Sequence, residues 1–94
     1  MKRFLILDER DNVATAITEL ELGFELEDVF LAKPVTCLET IKQGHKVALS
    51  DIEEGEVVVK YGVNIGLATA FIKRGELVHI HNLRSQRGKG KAGK

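Results

Sequence analysis

Ninety-four residues with 44% apolar content, 14 acids and 14 bases are enough for one modest core, and too few for an enzyme that builds a cleft between two domains of its own. Formal charge is zero. The neutral sum nevertheless hides an acidic front, with nine acids against four bases over residues 1–40, and a basic end, with five bases and no acid over residues 84–94.

Phe4 to Leu7 is an apolar run that ends in Asp8-Glu9-Arg10-Asp11-Asn12, as a short strand entering a polar turn does. The same charges interrupt any export signal. The longest uncharged run, Tyr61 to Ile72, is far short of a membrane span. A single cysteine, Cys37, forms no internal disulfide and fits a reducing compartment such as the cytoplasm.

Val13 to Leu22 fits a helix in part and strands in part, so the reading allows at most one short helix near 12–22. Phe24-Glu25-Leu26 alternates as a strand does, and Val29 to Val35 reads as another short strand. Pro34 pushes that segment toward an edge, because its nitrogen donates nothing to a ladder.

One signal then recurs. Leu20-x-x-Gly23, Ile41-x-x-Gly44, Ile52-x-x-Gly55 and Ile72-x-x-Gly75 each place an apolar residue three positions before a glycine, with a short strand to follow. The expected unit is a tight turn whose apolar residue plugs the core and whose glycine takes a positive φ. Four such turns, with further ones at Asp51 and Tyr61-Gly62, leave no room for a long helix after Thr40. The fold class is mainly β, with a domain over 1–83 and a Gly/Lys-rich flexible tail over 84–94. Arg84, Arg87, Lys89, Lys91 and Lys94 lack interleaved aromatics, so nucleic-acid binding is disfavoured and a solvated or partner-docking tail is expected.

All three histidines fall between Gly44 and Asn82. If Leu77 to Asn82 is one strand, its period of two sends Val78, Ile80 and Asn82 to one face and Leu77, His79 and His81 to the other. With Val78 and Ile80 in the core, two imidazoles would stand side by side, able to share an anion or a metal. Two ligands do not complete a metal site. His45-Lys46 opens another strand with an imidazole and an ammonium, suited to holding a carboxylate or acting on an acidic C–H. Cys37 reads as a small core residue.

Taken together, GHKVAL, D-I-x-x-G-E-x-V-x-K-Y-G, I-G-x-A-T and I-x-x-G-E-x-V-H-x-H-N closely resemble the small domain or subunit of the altronate/galactarate dehydratase family, which includes the sulfolactate sulfo-lyase small subunit. Asp11-Asn12-Val13-Ala14 resembles that family's opening, and Leu83 to Gly90 its exit. The resemblance implies a SAF-type β-clip domain acting with a large catalytic subunit. It implies a hydro-lyase that dehydrates a sugar acid such as altronate, or eliminates sulfite from a hydroxy acid such as sulfolactate.

It further implies a divalent metal, iron above all, held mainly by the large partner. Carried onto this sequence, it gives His45, Lys46, His79 and His81 as catalytic residues, Lys46 and Asn82 as substrate-binding residues, and His79 and His81 as metal ligands. Lys91 stands where fused members carry an acid, which points to a separate subunit, with homo-oligomer formation as a second mode of assembly. The alternative is a stand-alone sugar-acid or carboxylate binding module without catalysis.

Overall fold

In the computed structural model, which describes residues 2–85, nine short strands follow one another. They are β1 (Phe4–Leu5), β2 (Val13–Ala16), β3 (Glu25–Leu26), β4 (Val35–Thr36), β5 (Lys46–Ala48), β6 (Val57–Lys60), β7 (Val63–Ala68), β8 (Leu77–Val78) and β9 (Leu83–Ser85). The described residues contain no helix, so the short helix allowed near 12–22 is replaced by β2. None therefore crosses a membrane as a long apolar helix. Pairing is antiparallel throughout, in sheets ordered β1-β2-β5-β8, β3-β4 and β6-β7-β9. An all-β chain of small antiparallel sheets is the architecture expected of a SAF β-clip.

The four turn signals build this frame in pairs. Leu20 and Ile41 exchange both backbone hydrogen bonds, at 2.8 and 2.7 Å, and Ile52 and Ile72 do the same at 2.8 Å each. All four side chains are buried. After each comes a turn closed from its fourth residue to its first: Phe24 N–H to Glu21 O, His45 to Lys42, Glu56 to Glu53 and Glu76 to Lys73. Gly23, Gly44, Gly55 and Gly75 take the third position with φ between +83° and +95°, the conformation of a type II turn.

The four-stranded sheet is buried on both faces. Ala14, Ala16 and Val47 point into one core with Phe4, Leu20, Leu26 and Ile41, while Val13, Ala48 and Val78 point into a second with Ile52, Val58 and Ile72. Two-sided burial explains why VATA shows no clean period, since both parities must be apolar or small. Cys37 is buried in the first core, as expected of a small core residue.

Two expectations fail here. Residues 29–34 form turns and bends, and only Val35–Thr36 pairs as a strand. The expected strand from Leu77 to Asn82 stops at Val78, and residues 80–82 are a turn. At the chain's end β9 carries the sheet two residues past the expected boundary at 83, and the rest of the 84–94 tail lies outside the described residues.

Candidate functional site

The cause of the break after Val78 is Asn82. Its Oδ1 accepts the His79 N–H at 2.9 Å, its Nδ2 donates to Leu77 O at 2.8 Å, and its own N–H closes the turn on His79 O at 3.0 Å. A side-chain amide thus takes over bonds that a neighbouring strand would have made. Asn82 is consequently buried, at 7% exposure, while Ile80 stands out at 83%. Ile80 is therefore not a core residue, and His79 and His81 are not neighbours on one strand face.

The imidazoles that do meet are His45 and His79. Lys46 pairs with Val78 across β5 and β8, so the next register step brings His45 opposite His79. Their ring centroids lie 4.3 Å apart at 63°, an edge-to-face contact. His45 Nδ1 is 3.3 Å from Gln43 O, which holds the ring over its own turn. His81 is exposed on the turn beside them and contributes a charge that acts on His79.

Lys46 stands on the face that Ala48 buries in the second core, with Thr15 as its register partner on β2. Burial lowers its pKa, and the Lys60 ammonium lowers it further. Burial likewise lowers the pKa of His79, followed by the charges of His45, Lys46 and His81. No carboxylate pairs with Lys46 or Lys60 among the described residues. Thr15 Oγ1, in the same row, is buried without a hydrogen-bond partner. Asn82, His79 and His45 are thus brought together, the charge of Lys46 on the second-core face reaches His79, and His81 is exposed on the turn.

This is a setting for an anion. Among the described residues no three His, Cys, Asp or Glu side chains converge as a metal-ligand set. The charge of Lys46, which reaches His79, repels a dication. Among the described residues, the donors therefore do not by themselves complete a divalent-metal site.

Thr15 and Lys60 were not singled out from sequence. A threonine in VATA reads as a strand former and a lysine before Tyr61-Gly62 as a solvated strand end. The one available signal is parity, since Val13 and Thr15, like Val58 and Lys60, share a face.

The depressed Lys46 pKa yields a test of the charge. A lysine whose folded pKa lies below its unfolded value makes stability rise with pH between the two, because there the unfolded chain binds more protons. Lys46→Met is expected to raise the melting temperature by a few degrees at pH 7, and by less as pH climbs toward the ordinary lysine range. Melting curves at pH 7 and 10 check this; an equal gain at both would assign the effect to packing.

Residues 2–86 match the family described as altronate/galactarate dehydratase SAF domain. The chain belongs to this family. Its SAF relatives include altronate dehydratase of Bacillus subtilis (strain 168), 38% identical over 85 residues, and altronate dehydratase of Escherichia coli (strain K12), 40% identical over 83. Those alignments take in 90% and 88% of this chain and only 17% and 16% of the relatives, so the chain spans about a sixth of their length. A third relative is comparable in size: the (2R)-sulfolactate sulfo-lyase subunit alpha of Chromohalobacter salexigens is 35% identical over 89 residues, covering 89% of this chain and 95% of the subunit. The chain is a SAF domain of a lyase family.

Proposed function

We propose that this chain is the cytoplasmic small subunit of a hydro-lyase, and that it presents the His45–His79 pair and Lys46 to a hydroxy acid held mainly by a large catalytic subunit. The observation that carries this reading is the pair itself: two imidazoles in contact, one of them within reach of the charge of Lys46, a half-buried ammonium that no carboxylate pairs with among the described residues. The match over 95% of a sulfo-lyase alpha subunit supports a separate chain of this size.

In the proposed reaction Lys46 holds the substrate carboxylate, which makes the α-proton more acidic. His79, held neutral by burial and by the charges around it, takes that proton. The electron pair left on the α-carbon forms the α,β double bond as the β C–O bond breaks. The departing hydroxyl takes a proton from His45 and leaves as water. The enol then tautomerises to a 2-oxo acid. Had the β-substituent been a sulfonate, the C–S bond would break and sulfite would leave. A divalent metal such as iron belongs, in this scheme, to the large subunit, and no step on this chain depends on it.

Co-expression with the product of an adjacent gene for a large altronate-dehydratase-type chain tests the proposal. The reconstituted pair is expected to form 2-oxo acid from a hexonate or hexarate, or to release sulfite from sulfolactate, while neither chain alone does so. Binding of these acids by the small chain alone, with no turnover by the pair, would replace the enzyme reading with a binding module.

A further inference from the structure

Three strands each send a polar side chain from the rim of the second core. On β2 it is Thr15, two residues after Val13; on β5 it is Lys46, two before Ala48; on β6 it is Lys60, two after Val58. Thr15 and Lys46 are register partners. Asn12, at the start of β2, binds β6 on both sides of Val58: its Nδ2 donates to Val57 O at 2.9 Å, its Oδ1 accepts from Val59 N at 2.7 Å, and its own N–H reaches Val59 O at 3.1 Å. This clamp holds Lys60 to the sheet that carries Lys46.

Lys60 is half-buried and has no carboxylate partner among the described residues. Its charge reaches Lys46, and that of Lys46 reaches His79. The Lys60 ammonium lies over the Tyr61 ring, 5.0 Å from its centroid, and like charges that act on one another with no carboxylate on either are relieved by an anion that joins them. The unpaired Thr15 hydroxyl in the same row can donate to an oxyanion and accept from an ammonium.

We infer that Lys60 is the second cation of an oxyanion site shared with Lys46 and Thr15, and that this site takes a carboxylate carrying two negative charges. A carboxylate acquires such charge when the proton beside it is removed and the pair spreads onto its oxygens. One ammonium neutralises the bound acid and the second neutralises the charge that develops. The identity of the anion rests on the lyase reading above; its charge rests on the two lysines alone.

The probe is oxalate, a small planar dianion, compared with acetate and titrated into the full chain while backbone amide resonances are followed. Oxalate is expected to shift the amides of Thr15, Lys46 and Lys60 and to bind about tenfold more tightly than acetate, the factor one further ammonium supplies in a partly exposed site. Lys60→Gln should remove that advantage, and Lys60→Arg should keep most of it. Equal oxalate affinity in wild type and in a Lys60→Gln chain with an otherwise native spectrum would overturn the inference, as would no oxalate binding by the wild type. Because no turnover is measured, a reconstituted pair that eliminates nothing would sink the lyase reading and leave this result standing. In an active pair, Lys60→Gln is expected to lower kcat about a hundredfold with a smaller change in KM.

Discussion

His45→Glu is expected to leave the chain folded, at least as stable as wild type, and to cut the activity of the reconstituted enzyme by about three orders of magnitude. The stability half follows from the turn repeat. In the turns 53–56 and 73–76 the residue after the glycine is a glutamate, whose Oε1 accepts the N–H of the turn's first residue at 2.6 and 2.8 Å. In the turn 42–45 that slot holds His45, whose ring leans on Gln43 O and against His79 instead. A glutamate there can close the turn as its two counterparts do, a gain of about 0.5–1.5 kcal/mol for one such bond.

The activity half follows from chemistry. A carboxylate has no proton to give at neutral pH, and it would compete with the substrate for Lys46; loss of a general acid costs about 10²–10⁴-fold. Both outcomes together would mark the histidine as a residue placed for function in a slot the fold would fill otherwise. Thermal unfolding and turnover separate the two halves. NMR titration supplies a third reading: the charge of His45 helps to lower the His79 pKa, so a carboxylate in its place should raise it. Near-normal turnover would remove His45 from the mechanism, and an unfolded variant would refute the shared-slot argument.

The same repeat shows what the sequence could disclose. A positive φ at glycine is a constraint on one residue, and the apolar plug three positions earlier lies within the same turn, so both can be read locally. Which plug pairs with which cannot, because Leu20–Ile41 and Ile52–Ile72 are contacts across 20 or so residues of chain. The site suffers most from this difference. Strand parity along 77–82 treats Asn82 as one more residue of the ladder, whereas its amide ends the ladder and turns Ile80 outward. The pair that forms, His45 with His79, is set by the register of β5 on β8. The family resemblance pointed to His45, Lys46, His79, His81 and Asn82 without saying which of them touch.

That register also isolates the effect of Asn82. Asn82→Ala removes both side-chain bonds, leaving the His79 N–H and the Leu77 carbonyl without them in a turn whose apex is exposed, and is expected to cost about 1–3 kcal/mol. Ile80→Ser alters the apex of the same turn at a side chain that is already 83% exposed, and should change stability by no more than about 0.5 kcal/mol. Denaturant midpoints for the two variants test whether the turn is held by the asparagine or by the apolar tip. A positioning role requires more than lost stability. At a temperature where the Asn82→Ala chain remains folded and saturates the large subunit, kcat should still fall about a hundredfold, because an imidazole displaced by about 1 Å loses that much. KM should move far less, since Lys46 sits on β5 and does not depend on the turn. Normal kcat in the folded variant would mean that Asn82 supports the turn without aiming His79, and would shift the weight of the site onto His45 and Lys46.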